Sequence, residues 1–284
     1  MVTADLSEVS CNHSTETPSD KGHTTGVSFM RFRPLFSVSL AILAIQLPLQ
    51  AVAPADTPTS VAIVELFTSE GCSSCPPADA LLQKIHLKQT SSGQLIVGIS
   101  EHVTYWNNLG WKDQYSDQTF TNRQEIYASR FSAEGPYTPQ MVLNGYDQFV
   151  GSNGGALEQA LRTDAHRKHA NLTIVSATRQ ANELALKFSL VGAASKSLDI
   201  VAVLTDDEDR SNVLRGENSG RSLQHVSVAR SLSRIATVNA DTEQSVHVPL
   251  PEAFQRSSSS GHHLVLFAQE PHQGAIVGAA IMPI

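Results

Sequence analysis

VAIVELFTSEGCSSCPPADALL, Val61 to Leu82, is the stretch whose reading decides the expected fold. It opens with the apolar, β-branched run Val61 to Phe67, which predicts a buried strand. A polar turn, Thr68 to Gly71, leads to Cys72-Ser73-Ser74-Cys75 and two prolines. Ala78 to Leu82 then begins a helical pattern. A helix N-terminus sets unpaired N–H groups and positive dipole character beside the sulfurs, which favours thiolate, the nucleophile of disulfide exchange. Three chemistries fit the spacing: redox exchange, metal binding and an inert disulfide. As a staple the pair would do little, since a four-residue loop yields only about 2 kcal/mol of chain-entropy stabilisation.

The chain has 284 residues, a formal net charge of −7 and three cysteines, Cys11, Cys72 and Cys75. No basic cluster marks a nucleic-acid partner. So few cysteines, two of them in C-x-x-C, do not make a disulfide scaffold. Residues 1–29 are polar and without periodicity, and predict a disordered or non-native upstream segment. Met30-Arg31-Phe32-Arg33, the apolar run Leu35 to Ile45 and the small residues Ala51 to Ala55 have the layout of a secretory signal peptide over 30–55. Met30 is the expected true start and Ala55 the preferred cleavage site. Pro48 and the shortness of the run argue against a transmembrane span. A periplasmic or secreted protein follows, with no stable membrane span after cleavage and Cys72 and Cys75 as its remaining cysteines.

Downstream, Ala80 to Leu87 continues an amphipathic helix, and Cys75 is its expected cap because it precedes proline. Gln94 to Ser100 reads as a second strand. Glu101 to Asp113 holds both tryptophans and has neither strand nor helix period, as binding loops and core-covering lids do. Ser116-Asp117 caps a helix through Phe131. Tyr137-Thr138-Pro139 precedes a third strand, Asn144-Gly145 marks a hairpin turn, and Asn153 caps a helix to about Lys168. The order β-α-β-α-β-β-α is that of a thioredoxin-like domain, expected over 56–169. From Ala170 short apolar or alternating segments recur at 172–177, 184–190, 198–204, 246–250, 263–268 and 275–282. These predict a β-rich, sandwich-like domain over 170–284. The fold class expected is thus an α/β thioredoxin-like domain followed by a mostly β one. Leu214 to His225 reads as a tight polar loop, either a surface turn or a wall of the thiol site.

The runs ELFTSEGCSSCPPAD, HVTYWNNLGWKD, YTPQMVLNG and RGENSGRSLQH, in that order, resemble the bacterial domain-of-unknown-function 1223 family. The resemblance covers nearly all of the chain after residue 55 and implies a secreted protein of the thioredoxin-like superfamily, without a known reaction. The family pattern H-V-D-Y-W-D has acids where this chain has Thr104 and Asn107, so no role of those acids carries over. Arg215, Glu217 and Asn218 match the family's Gly-rich loop. By thioredoxin analogy Cys72 attacks, Cys75 resolves, and Thr138–Pro139 is cis and presents backbone to a substrate. His102 is the candidate proton-transfer group. Tyr105, Trp106, Trp111, Arg215, Glu217 and Asn218 are candidate substrate-binding residues. The function expected is thiol–disulfide exchange on extracytoplasmic proteins or small-molecule thiols and disulfides, with no resident metal or cofactor. The alternatives are a copper or other metal-delivery protein using Cys72, Cys75 and His102, and a binding module with a structural disulfide.

Overall fold

The computed structural model describes residues 58–193, 197–255, 259 and 261–284. The upstream segment, the expected signal peptide and Cys11 lie outside the described residues. The first apolar run forms β1 (Ser60–Thr68), and α1 (Pro76–Ile85) follows the C-x-x-C turn. Next come β2 (Gln94–His102), α2 (Gln118–Arg130), β3 (Gln140–Leu143), β4 (Asp147–Val150) and α3 (Gly154–Asp164). The caps fall where the polar residues predict them. Asp117 accepts from the Thr119 amide and Asn153 from the Ala156 amide. Asn144 and Gly145 turn β3 into β4 with φ of 44° and 66°. A Cβ on Gly145 would sit 2.4 Å from the Gly274 carbonyl oxygen, so this turn needs glycine.

The second half is almost all strand: β5 (Asn171–Gln180), β6 (Glu183–Val191), β7 (Leu198–Asn212), β8 (Ser222–Val238), β9 (Thr242–Pro249), a short α4 (Glu252–Gln255), β10 (His262–Gln269) and β11 (Ile276–Pro283). One sheet has eight strands in the order β11-β10-β7-β8-β2-β1-β3-β4, and a second has three, β5-β6-β9. The large sheet is mixed: β1 runs parallel to β2, β2 parallel to β8, and the other pairs are antiparallel.

This corrects the expected fold class. The chain is mostly β, and no separate α/β thioredoxin-like domain precedes a β domain; strands from both halves share one eight-stranded sheet. The strand that joins them, β8, is the one the sequence pattern does not announce. Its apolar residues Val226 and Val228 alternate, but Ala229 follows at once and breaks the period. Its pairing with β7 shifts register twice, and Ser227 has φ +50°. Bulges break the two-residue period on which strand recognition rests.

Four apolar clusters among the described residues hold the assembly, the smallest being Phe67, Val103, Tyr127 and Val142. Val64, Leu66, Ile96, Met141 and Leu143 pack under Leu82 of α1 and Leu157 and Leu161 of α3. Alternate residues Ile63, Val97 and Ile99 meet Val201, Val203, Val265 and Phe267 on the other face. A further core lies between β5-β6-β9 and the residues Leu198, Ile200, Leu204, Leu264 and Leu266. Each such side chain contributes roughly 1.5–3 kcal/mol by leaving water. The large sheet curls far enough that the Ile276 amide of β11 donates to the Asn144 carbonyl, 2.8 Å, in the β3–β4 turn.

Candidate functional site

The C-x-x-C turn leaves the C-terminal end of β1 and enters α1. Cys72 and Cys75 are joined as a disulfide with their Cα atoms 5.4 Å apart. The Cys75 amide donates to the Cys72 carbonyl, and the Cys75 carbonyl accepts from the amides of Ala78 and Asp79. Cys75 is the cap, as its place before proline predicts, yet it takes helical angles, φ −77° and ψ −38°. The two accepted bonds pull it into the first turn. Both cysteines are fully buried, whereas Ser73 and Ser74 between them are exposed.

A polar strap, residues 213–221 between β7 and β8, is hydrogen-bonded to the backbone of the turn that carries the sulfurs. Its base is closed by the Val213 amide on the Arg221 carbonyl and the Gly220 amide on the Val213 carbonyl. At its tip the buried Asn218 donates through Nδ2 to the carbonyls of Glu70 and Cys72, both at 2.9 Å. Glu217 is exposed and accepts from the Ser73 amide at 3.0 Å, and its hydrogen bonds to Ser73 hold its carboxyl below the usual range. Gly216 lies against the aromatic loop: a Cβ on Gly110 would come 3.3 Å from the Gly216 Cα.

Beneath the turn lies a buried cluster of ionisable groups. His102 Nδ1 is 2.7 Å from Asp113 Oδ2, which also accepts from the Glu70 amide. The Glu70 carboxylate accepts from Trp111 Nε1 at 2.7 Å and from the Ser211 hydroxyl. Thr68 donates its hydroxyl to Asp79. His225 stands between the acids, 3.6 Å from Glu70 and 3.8 Å from Asp79, with its ring edge-to-face on His102 at 4.6 Å. Burial pulls the His225 pKa down, but Asp79 and Glu70 more than offset it and hold it at about 10. Burial pushes Asp113 up, and His102 outweighs that, so its carboxyl stays below the usual range. The ring nitrogens of His225, His102 Nε2, and the hydroxyls of Ser100 and Ser227 have no hydrogen-bond partner, and all are buried. Ser227 also carries the positive φ noted above; strain beside unpaired polar groups is a frequent mark of a functional region.

The structure brings most of the sequence-predicted residues together. Cys72, Cys75, Glu217 and Asn218 form the turn and the strap tip bonded to it, and Trp111 reaches Glu70. Trp106 donates to Thr138 Oγ1 at 2.8 Å, and its Cβ would lie 3.2 Å from a Cβ on Gly71. The Thr138–Pro139 bond is cis. Tyr105 is exposed and donates to Gln124. Arg215 points to solvent on the strap. His102 lies in the buried cluster, held by Asp113. Sequence reasoning missed Glu70, Asp79, Asp113 and the role of His225. The last was read as the end of a polar loop, but it belongs to β8.

A second buried charge group sits on the opposite face of β1 and β2. Arg123 pairs with Glu65 and lies 3.8 Å from Glu101, and Tyr127 donates to Glu65 at 2.7 Å. Burial, and then the neighbouring Glu65, push the Glu101 pKa well above the usual carboxylate range. With the two sulfurs joined, no group of three or more His, Cys, Asp or Glu side chains among the described residues is arranged to hold a metal ion. No helix among them is long and apolar enough to cross a membrane.

The turn, the aromatic loop, the strand before residue 144 and the strap all fall within residues 63–269, the span matched by a family model described as a protein of unknown function, DUF1223. The chain belongs to the DUF1223 family. A crystal structure of a structural-genomics target from Agrobacterium tumefaciens is similar to this member at TM-score 0.60 and 26% identity, covering 78% of this chain and 94% of that one. A β-glucosidase from Kluyveromyces marxianus reaches TM-score 0.22 at 8% identity, over 68% of this chain and 18% of that one, which carries no argument. No curated protein matches the chain.

Proposed function

We propose that this DUF1223 member performs thiol–disulfide exchange through Cys72 and Cys75 on extracytoplasmic protein or small-molecule thiols. The observation that carries the reading is the polar strap bonded to the disulfide turn. A structural staple is usually set into an apolar core. Here both cysteines are buried, and the turn that carries them is bound by one short polar strap, through two bonds from Asn218 and one to Glu217. Such a contact opens at modest cost. The small staple value of a four-residue loop, about 2 kcal/mol, points the same way.

With the strap lifted, a partner thiolate attacks Cys72 Sγ, the Cys72–Cys75 bond breaks, and Cys75 leaves as a thiolate that takes up the partner's proton. A second partner thiol attacks the mixed disulfide and releases Cys72 as a thiol. Two partner thiols thereby give two electrons and two protons to the pair and become a disulfide; the reverse reaction runs through the same steps. The dipole of α1 favours the leaving thiolate, although its first two residues are prolines and its next two amides donate to the Cys75 carbonyl. An oxidising compartment outside the cytoplasm, reached by the signal-like segment 30–55, suits a pair that is used as a disulfide.

The test is the reduction potential of the pair, by equilibration in glutathione or dithiothreitol buffers followed by thiol trapping. A value between about −270 and −120 mV supports exchange, and one below about −300 mV refutes it in favour of a structural bond.

A further inference from the structure

The two most exposed large apolar side chains among the described residues are Leu214, 72% exposed, and Leu109, 61% exposed. They are far apart in sequence but adjacent in the fold. Leu109 precedes Gly110 and Leu214 lies two residues before Gly216, and these glycines touch across the gap between aromatic loop and strap. Both glycines have positive φ, 106° and 78°, so the contact is shaped by the backbone rather than by side-chain packing. Three exposed cations lie on the same two segments: Lys112 on the aromatic loop, Arg215 on the strap, and Arg221 at its base. No carboxylate among the described residues is bridged to any of the three. The strap's own exposed acid, Glu217, keeps its negative charge while it accepts from the Ser73 amide, so the three cations outnumber it without being neutralised by it. In a chain of net charge −7 this is a local excess of positive charge. Part of it lies on the same strap that is bonded to the disulfide turn.

We propose that this surface docks an acidic polypeptide segment carrying apolar side chains, and that its cysteine-bearing partners are selected there. The proposal rests on the exchange reading for its purpose, but not for its test. Leucines with cations on the same two segments match a partner with apolar anchors flanked by Asp and Glu. The charges speed and orient encounter, while the apolar contact holds the segment against the strap.

Binding is measured on the full-length protein with unreactive peptides in which serine replaces cysteine, using tryptophan fluorescence and calorimetry. One peptide sets leucines among Asp and Glu, a second among Lys, and a third sets the acids among serines. The acidic, leucine-bearing peptide is expected to bind at least about tenfold more tightly than either control, the preference over the lysine peptide shrinking in high salt. Lys112→Glu with Arg215→Glu and Arg221→Glu should reverse the charge preference. Leu109→Ser with Leu214→Ser should erase the advantage over the serine peptide. All five positions are exposed, and circular dichroism checks the fold of each variant. Equal binding of the acidic and basic peptides, or variants that leave the preference unmoved, overturns the proposal. The cysteine versions of the peptides then report the exchange reading separately. Selective binding without exchange refutes only that reading, and exchange without selectivity refutes only the docking surface.

Discussion

Replacing Asn218 by alanine should unlock the disulfide. Asn218 Nδ2 supplies two of the three bonds that tie the strap to the turn, at 2.9 Å each, and its residue is fully buried. A net hydrogen bond in a folded protein contributes about 1 kcal/mol, so losing two weakens strap closure by about 2 kcal/mol. The carbonyls of Glu70 and Cys72 are also left without this donor in the closed form, which adds to the effect unless water enters. At about 1.4 kcal/mol per factor of ten, 2 kcal/mol raises the open fraction roughly thirtyfold. The assay is the pseudo-first-order rate of disulfide reduction by a small phosphine, at concentrations where the rate is linear in reductant. Under those conditions it tracks the open population. The variant should be reduced about thirtyfold faster, under conditions where circular dichroism shows it folded, and its denaturation midpoint should fall because the closed native state loses the same roughly 2 kcal/mol. Equal rates for folded wild type and Asn218→Ala would mean that the strap is not the barrier.

The remaining expectations follow from the buried charges and the turns. His225 is held protonated, with its folded pKa raised from 6.5 to about 10. Its stabilisation is therefore fully present below about pH 6.5 and lost as pH rises toward 10. Urea midpoints should fall across that window, and His225→Gln should flatten the slope. Glu101→Gln should match or exceed wild-type stability at pH 8, because burial already disfavours the Glu101 charge. Glu65→Gln should lose about 3 kcal/mol or more, since it strips Arg123 of its partner, as thermal or urea unfolding will show. Gly145→Ala should lower stability by more than about 1 kcal/mol, because φ is +66° and the new Cβ meets the Gly274 carbonyl.

The local elements were legible where one residue type has one meaning. Asn144-Gly145 made a turn, Asp117 and Asn153 made caps, and the apolar runs at 61–67 and 94–100 made strands. The strand segments after residue 170, β8 excepted, were visible for the same reason. What sequence could not give was which strands pair. Only Ser100 and Val228 are registered between β2 and β8, and that single junction turns two expected domains into one sheet. No local pattern encodes a contact between residues so distant in the chain. The site followed the same division. Cys72, Cys75 and Asn218 stood out as motif residues, whereas Asp79 read as an ordinary helix residue and Glu70 as part of a turn.

The element missed in the fold is also the one that completes the site. β8 begins where the strap ends, so its pairing with β7 brings Asn218 back over the C-x-x-C turn. Three residues into the same strand, His225 enters the space between Glu70 and Asp79. An isolated α/β unit ending near residue 169 would have a disulfide turn without its strap and two acids without this cation. Strap and charge compensation both come from the second half of the chain. The junction that overturns the expected two-part architecture is therefore also what brings the strap to the disulfide turn, and a truncation at residue 169 should leave neither a stable fold nor a protected bond.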